Sequence, residues 1–325
     1  MKPVPKEVAL EMLKKMIEIR KFEEMIVDQY ARGNVPGVTH LYIGEEAVAV
    51  GACMNLDPED YIISTHRGHG HCIAKGGELK PMMAELFGKR TGYCKGKGGS
   101  MHIASFEKGI LGAMGIVGSG VPIATGSGLG IKLQGLNRVV ICFFGDNASN
   151  TGASHEGLNL ASVLKVPVVF ICENNLYGIS VPQRKHQAIK DIASRGIAYG
   201  IPGVIVDGMN VVAVYEEVGK AVKRAREGGG PTLVECKTYR FRGHMEGDPN
   251  LGTRYRTKEE IETWKKRCPI KLFKEKLIKE KKMKEREIRE LEEDVDRRIK
   301  EAFDYAMESP FPEIEEMYKG VFVEA

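Results

Sequence analysis

The sequence predicts an α/β fold: a parallel sheet covered by helices on both faces, with a helical extension at the C-terminal end. The first observation is a series of short apolar runs that alternate with segments of helical periodicity, a pattern typical of parallel sheets. The second is the distance between two apolar runs, residues 139–143 and 166–171, which leaves room for a helix between them. The third is a change to charged, helix-forming composition after Pro249.

Local patterns predict the elements one by one. Residues 6–29 carry apolar side chains at helical spacing, and Gly33 is the expected end of that helix. Further helices are predicted at residues 80–88, from residue 126 in a stretch of small residues, and at 215–226. Strands are predicted at residues 61–65, 139–143, 166–171, 203–208 and 232–236.

The sequence predicts only helices in the last part of the chain. Thr257 and Glu260 have the spacing of a capping box, which marks the start of a helix. Charged helices follow to about residue 307, with a break at Pro269. We therefore predict two domains, an α/β domain over residues 1–255 and a helical extension over residues 256–325.

The composition is that of a soluble globular protein. Of the 325 residues, 42% are hydrophobic and 28% are charged. No apolar leader follows residues 1–3, and no uncharged apolar stretch is long enough to cross a bilayer. The seven cysteines are odd in number and form no CxxC pair, which suits a reducing compartment. We expect a cytoplasmic protein without a membrane partner.

A basic segment near the C-terminus raises the question of nucleic acid. Residues 265–300 hold 15 Lys/Arg against 9 Asp/Glu. However, the acidic residues are interleaved at helical spacing, as expected of a solvated helix face with ion pairs between successive turns. We expect no nucleic-acid partner.

Polar side chains follow two of the predicted strands at the point where each strand ends. Asp146 follows the run 139–143, and Asn175 follows the run 166–171. The carboxyl ends of neighbouring parallel strands meet at one sheet edge, where ligands of open α/β sheets bind. A carboxylate and an amide oxygen suit a hard cation such as Mg²⁺, which completes its coordination with water and phosphate oxygens. The pattern predicts a metal and a diphosphate.

Other phosphate-binding motifs do not match. The glycine-dense region 109–130 lets the backbone approach a planar ligand or another chain, but it lacks the dinucleotide-binding fingerprint. Residues 96–100 lack the spacing of a Walker phosphate loop. A nicotinamide-dependent dehydrogenase is therefore disfavoured.

Histidines follow the predicted strand ends. His66, His69 and His71 come directly after the strand 61–65, with Arg67 among them as a suitable phosphate clamp. His244 follows the last strand of the α/β domain. A zinc site is disfavoured, because no Cys or carboxylate accompanies the three at ligand spacing. His155 and His186 have no comparable context and are assigned to structure.

Taken together, these residues resemble the alpha subunits of thiamine-diphosphate-dependent acetoin and 2-oxo-acid dehydrogenases. Residues 144–146 and 173–175 are similar to the family's thiamine-diphosphate motif. Other similar segments are residues 40–47, 95–102, 115–118 and 239–244, in an overall resemblance from about residue 10 to 320. Residues 64–72 and 246–249 look closer to acetoin dehydrogenase than to the pyruvate or branched-chain enzymes.

The resemblance implies roles for individual residues. Mg²⁺ is expected on the side chains of Asp146 and Asn175 and on the carbonyl of Tyr177. The cofactor is expected to contact His66, Arg67, Gly115, Val117, Asp146, Asn147, Ala148 and Asn175. Three histidines are expected to face the reacting centre, namely His244, His40 and His69. Histidines of near-neutral pKa suit proton transfer there. The glutamate that activates the cofactor is expected on the beta subunit.

The resemblance also implies an activity and partners. We expect cleavage of the C–C bond of acetoin and transfer of a hydroxyethyl group to the lipoyl group of an acyltransferase, in an α₂β₂ heterotetramer. A pyruvate or other 2-oxo-acid dehydrogenase alpha subunit is the alternative. An alternative from a different functional class is a homologue without catalytic activity that acts in assembly or regulation.

Two positions depart from the family pattern. Asn147 stands where the motif has a glycine. If that position needs positive φ, Asn is the side chain that tolerates it next best, and we expect weaker cofactor binding. Met245 stands where animal pyruvate enzymes of this type have a phosphorylated serine. Control by phosphorylation is therefore not available at this position.

Overall fold

A parallel sheet forms the centre of the molecule. The structure is a computed structural model that describes residues 4–320, with the backbone alone at Leu251; the outer ends of both predicted domains, residues 1–3 and 321–325, lie outside it. The strands are β1 (Tyr61–Thr65), β2 (Ile110–Met114), β3 (Val140–Gly145), β4 (Val168–Asn174), β5 (Tyr177–Gly178), β6 (Val181–Pro182), β7 (Gly203–Asp207) and β8 (Thr232–Lys237). Six of them pair in parallel in the order β2-β1-β3-β4-β8-β7, while β5 and β6 form a short antiparallel hairpin. The predicted fold class is confirmed.

Helices connect and cover these strands. They are α1 (Lys6–Ala31), α2 (Glu46–Cys53), α3 (His69–Lys75), α4 (Leu79–Leu86), α5 (Gly120–Leu133), α6 (Gly152–Leu164), α7 (Gln183–His186), α8 (Val211–Arg226), α9 (Lys258–Lys265), α10 (Pro269–Lys279) and α11 (Glu285–Glu308). The helix that we predicted from residue 126 begins earlier, at Gly120, because Pro122 is tolerated in a first turn whose N–H groups have no helical partner. The helix predicted at 215–226 also begins earlier, since the Asn210 side chain caps Val212 and Ala213.

The sheet separates two hydrophobic clusters, one on each face. Along β3, Ile141 and Phe143 belong to one cluster, whereas Val140, Cys142 and Phe144 belong to the other. Successive side chains of a strand point to opposite faces, so a strand buried on both sides has a continuous apolar sequence. Helices α5 and α6 cover one face, and α1, α2 and α8 lie on the other.

The C-terminal helices share this core. Thr257 caps α9 by accepting a hydrogen bond from the Glu260 N–H (3.0 Å), and Pro269 is the first residue of α10, as the sequence predicted. Val295 and Ile299 of α11 belong to the same hydrophobic cluster as α1. The boundary between residues 255 and 256 stays a prediction.

Basic and acidic side chains alternate on the surface of α11. Arg286 pairs with Glu290 (2.7 Å) and Arg297 with Glu301 (2.6 Å), both one helical turn apart. These two arginines are thus paired with acidic side chains of the same helix. Within residues 4–320, no helix combines the length and the apolar character of a membrane span.

Candidate active site

A cavity of about 220 Å³ opens where β3 and β4 end. The two strands pair in parallel with Gly145 opposite Glu173, so the polar residues that follow them lie side by side. Of the predicted site residues, those that line the cavity are His40, His66, Arg67, Gly115, Val117, Asp146, Asn147, Ala148, Asn175, Tyr177 and His244. Parts of the chain that are far apart in sequence therefore meet in one site.

Asp146 and Asn175 provide oxygen atoms on one wall of this cavity. Asp146 is 2% exposed, and its Oδ2 has no hydrogen-bond partner within residues 4–320. The Asn175 amide donates from Nδ2 to Glu45 Oε1 (3.2 Å), and its Oδ1 accepts a weak bond from the Tyr177 N–H (3.3 Å). A buried carboxylate on the cavity wall beside an oriented amide oxygen fits a hard divalent cation.

Arg67 and Glu45 lie buried side by side next to Asn175. The Arg67 guanidinium donates to the carbonyls of Leu41 (2.7 Å) and His244 (2.8 Å), which ties together two distant segments of the cavity wall. Its Nε lies 3.6 Å from Glu45 Oε2. Burial raises the pKa of Glu45 to about 8; the Arg67 charge opposes this shift, and the neighbouring Glu173 adds to it.

Three histidines meet on the same cavity wall. The ring centroid of His40 lies 4.6 Å from that of His66 and 4.8 Å from that of His244. Burial, followed by the Arg67 charge, lowers the pKa to about 2 for His40, about 3 for His66 and about 2 for His244. The expected near-neutral pKa values are therefore wrong for this structure. At neutral pH the rings are uncharged and act as hydrogen-bond donors and acceptors.

Glu173 is held by a chain of buried hydrogen bonds. It accepts from the Tyr42 hydroxyl and, at 3.0 Å, pairs with His71 Nε2. His71 Nδ1 bonds to Ser64 Oγ (2.8 Å), and its ring stacks on Phe143 with centroids 3.8 Å apart. His71 is thus a positioning residue that fixes a carboxylate on the cavity wall.

Comparison with known proteins agrees with this geometry. The family model of the dehydrogenase E1 component matches residues 14–315. The chain belongs to this family. Because E1 components depend on thiamine diphosphate, the predicted enzyme class, a thiamine-diphosphate-dependent oxidoreductase, is confirmed.

Curated relatives span nearly the whole chain of this E1 component. The alpha subunit of acetoin:2,6-dichlorophenolindophenol oxidoreductase from Bacillus subtilis (strain 168) is 50% identical over 318 residues, which cover 98% of this chain and 94% of that one. The corresponding subunit from Cupriavidus necator is 44% identical, with coverage of 99% and 96%. The pyruvate dehydrogenase E1 component subunit alpha from Porphyra purpurea is 40% identical, with coverage of 94% and 90%.

His69 lies behind the cavity wall of the E1 component and does not line it. It is fully buried, with Nδ1 bonded to Glu23 Oε2 (2.9 Å) and Nε2 to Ser100 Oγ (2.9 Å). Both ring nitrogens are therefore occupied by the protein. The expectation that His69 faces the reacting centre is not met, because α3 begins at this residue and turns its side chain into the core.

The three cavity histidines make a poor metal site. Their ligand nitrogens all lie within 4.8 Å of one another, so distance alone does not exclude a shared cation. The Arg67 charge that lowers their pKa also repels a cation. The three rings line the cavity as uncharged hydrogen-bonding groups.

The glycines of the predicted loop are needed for close packing. A Cβ on Gly115 would lie 2.8 Å from the His102 ring, and one on Gly118, where φ is +86°, would lie 2.2 Å from Thr151 Oγ1. The close approach that the glycine pattern predicted is thus partly used within the chain itself.

Asn147 does not need the backbone conformation that we expected. Its φ is −70° and its ψ −34°, so the position has no requirement for glycine. The side chain is instead exposed on the cavity wall and lies against Gly178, where an added Cβ would come within 2.5 Å of Asn147 Cγ. Any effect of Asn147 on the cofactor therefore comes from its side chain and not from its backbone conformation.

Sequence reasoning missed Glu45 and His186. Glu45 lies within a segment that the family resemblance covers, but nothing local marks its burial or its contact with Asn175, 130 residues away. His186 was assigned to structure, yet its Nε2 lies 3.6 Å from Asp146 Oδ2. No local signal distinguishes His186 from a surface histidine.

Proposed function

We propose that this chain is the alpha subunit of an enzyme that cleaves acetoin, and that thiamine diphosphate and Mg²⁺ bind in the cavity beyond β3 and β4. One observation carries the proposal of a polar ligand. Two cavity-lining side chains keep a buried polar atom that has no hydrogen-bond partner within residues 4–320: Glu45 Oε2 and His40 Nδ1. Buried polar atoms are almost always bonded, so a polar ligand would complete these two.

The proposed metal ligands are the side chains of Asp146 and Asn175 and the carbonyl of Tyr177. This set supports Mg²⁺, which takes a few protein oxygens and completes its coordination with water and phosphate oxygens. When bound, the cofactor supplies the chemistry of C–C cleavage, while the protein binds and orients the reactants. His40 and His244 are proposed to bond to the substrate oxygens as uncharged imidazoles, which suits a neutral hydroxyketone.

The relatives support acetoin as the substrate. The two acetoin:2,6-dichlorophenolindophenol oxidoreductase subunits are 50% and 44% identical, against 40% for the pyruvate dehydrogenase subunit of Porphyra purpurea. All three are named as alpha subunits, which supports a beta subunit as the partner of this chain. We further propose that the product fragment passes to the lipoyl group of an acyltransferase.

A dye-reduction assay tests the substrate. The chain is purified in complex with its beta subunit and supplied with Mg²⁺, thiamine diphosphate and 2,6-dichlorophenolindophenol. We expect cofactor-dependent reduction with acetoin and much slower reduction with pyruvate. Reduction with pyruvate alone would identify a 2-oxo-acid dehydrogenase, and no cofactor-dependent reduction with either substrate would favour a non-catalytic homologue.

A matched pair of variants tests the metal site. Asp146→Asn keeps the shape of the side chain but removes the charge, so we expect loss of Mg²⁺-dependent uptake of thiamine diphosphate. Asp296→Asn makes the same change on the surface of α11, where Asp296 pairs with Lys21 (3.0 Å), and should leave uptake unchanged. Equal uptake by both variants contradicts the proposed metal site.

A further inference from the structure

His186 lies beside the carboxylate that is proposed to bind the metal. Its Nε2 is 3.6 Å from Asp146 Oδ2, and both atoms are buried without a hydrogen-bond partner in the described part of the chain. The His186 side chain is 14% exposed and that of Asp146 3% exposed. Two unsatisfied polar atoms that face each other are best explained as a pair.

The neighbours of His186 fix the position of its ring proton. Arg195 Nη2 donates to Asn150 Oδ1 (2.6 Å), so the oxygen of this amide faces Arg195 and its NH₂ group faces His186. Asn150 Nδ2 lies 3.0 Å from the His186 carbonyl and 3.2 Å from His186 Nδ1. A carbonyl oxygen only accepts, which requires the same amide orientation. Nδ1 therefore accepts a hydrogen bond, and the ring proton is on Nε2.

This proton makes His186 a donor towards Asp146. A protonated nitrogen has no lone pair for a metal, so His186 Nε2 is not itself a ligand. The 3.6 Å separation exceeds a good N–H···O hydrogen bond by about 0.6 Å, a gap that a small side-chain rotation closes. A carboxylate that binds a metal is typically held by such a donor, which fixes its orientation.

The turn around Asp146 is anchored to the segment that carries His186. Gln187 Nε2 donates to the Asp146 carbonyl (2.7 Å) and to Ser149 Oγ (3.2 Å). Arg195 also donates to the Ser149 carbonyl. Because these bonds fix both sides of the contact, the His186 ring has a defined place relative to the Asp146 carboxylate.

We propose that His186 is a positioning residue of the metal site: its Nε2–H donates to Asp146 Oδ2, and this leaves Oδ1 for the metal. Asn150 and Arg195 serve the same purpose by holding the ring proton on Nε2. The inference rests on the proposed function, because it concerns the metal that accompanies the proposed cofactor.

Binding of Mn²⁺ tests the proposal without an activity assay. Mn²⁺ replaces Mg²⁺ at oxygen-rich sites, and its electron paramagnetic resonance signal distinguishes free from bound ion. The complex with the beta subunit is titrated with Mn²⁺ in the presence of thiamine diphosphate. We expect His186→Leu to weaken Mn²⁺ binding 10- to 100-fold, the usual effect of removing a hydrogen-bond partner of a metal ligand. His186→Gln, which keeps an N–H donor near the position of Nε2, should recover most of the affinity.

His155→Leu is the matched control. His155 is exposed on α6, where it bonds to the Tyr199 hydroxyl (2.5 Å), and its loss should leave Mn²⁺ binding unchanged. If His186→Leu binds Mn²⁺ within twofold of wild type, or if His186→Gln binds as weakly as His186→Leu, the inference is wrong and the proposed function stands. If the wild-type complex binds no Mn²⁺ in the presence of thiamine diphosphate, the proposed function itself is wrong, and the inference falls with it.

Discussion

The glycine- and lysine-rich loop after α4 is folded around one buried carboxylate. Glu85 is fully buried, and its Oε1 accepts hydrogen bonds from the N–H groups of Gly98 (2.8 Å) and Gly99 (3.0 Å). Its Oε2 accepts from those of Cys94 (2.7 Å) and Gly96 (2.9 Å). The loop thus has the backbone geometry of an anion-binding nest, and the anion is the protein's own side chain.

We predict that Glu85→Gln strongly destabilises the chain. The substitution keeps the shape of the side chain but replaces one acceptor oxygen with an NH₂ group, which leaves two of the four N–H groups facing a donor. A hydrogen bond to a charged group contributes about 1.5–3 kcal/mol, so the loss of two amounts to about 3–6 kcal/mol. A typical domain is stable by about 5–15 kcal/mol, so this loss is roughly half of the total when the middle of each range is compared.

Urea unfolding monitored by circular dichroism measures this loss. We expect the free energy of unfolding to fall by about 3–6 kcal/mol with an unchanged dependence on urea concentration. Glu107→Gln is the control, because Glu107 is exposed on the next loop and the same change there should have almost no effect. A loss below about 1 kcal/mol in Glu85→Gln would show that the four hydrogen bonds do not organise the loop.

Three further predictions follow from the cavity. Gly178→Ala places a Cβ 2.5 Å from Asn147 Cγ and should lower the thermal unfolding midpoint. Adding Asn147→Gly should restore the midpoint. If the double variant is no more stable than Gly178→Ala, the two residues are not in contact. Asn147→Gly alone should lower the dissociation constant of thiamine diphosphate, since it removes an exposed side chain from the cavity wall, and an unchanged constant in a fluorescence titration would disprove this. Because the pKa values of His40, His66 and His244 are lowered on folding, their contribution to stability is complete above pH 6.5 and is lost as the pH falls towards 3. At pH 5 each of these histidines lowers the free energy of unfolding by about 2 kcal/mol. His66→Gln should therefore make the unfolding midpoint less sensitive to acid. An unchanged dependence of the midpoint on pH would count against burial of the neutral His66 ring.

The meeting of Asp146 and Asn175 could be predicted because it depends only on strand order and direction. Two apolar runs separated by one helix make neighbouring parallel strands, and their carboxyl ends then lie at one edge whatever the details of packing. The same holds for Thr257 and Pro269, whose capping and helix-starting roles depend on local chemistry.

The backbone at Asn147 and the direction of His69 could not be predicted in this way. The family pattern suggested a positive φ at position 147, but the turn after β3 is a short helical turn with negative φ. His69 follows a strand as His66 does, yet a helix begins at His69 and points its ring into the core. A shift of a few residues along the chain decides which side chain faces the cavity.

The sequence by itself determined the fold class, the family and the strand ends that carry the site, because these follow from periodicity and from motifs of short range. Only the tertiary structure brought Glu45 to Asn175 and His186 to Asp146, and only burial among neighbouring charges lowered the pKa values of the cavity histidines. These contacts join segments that are distant in sequence, and their energies depend on the loss of solvent around them. A linear pattern contains neither the distance between two side chains nor the water that folding removes.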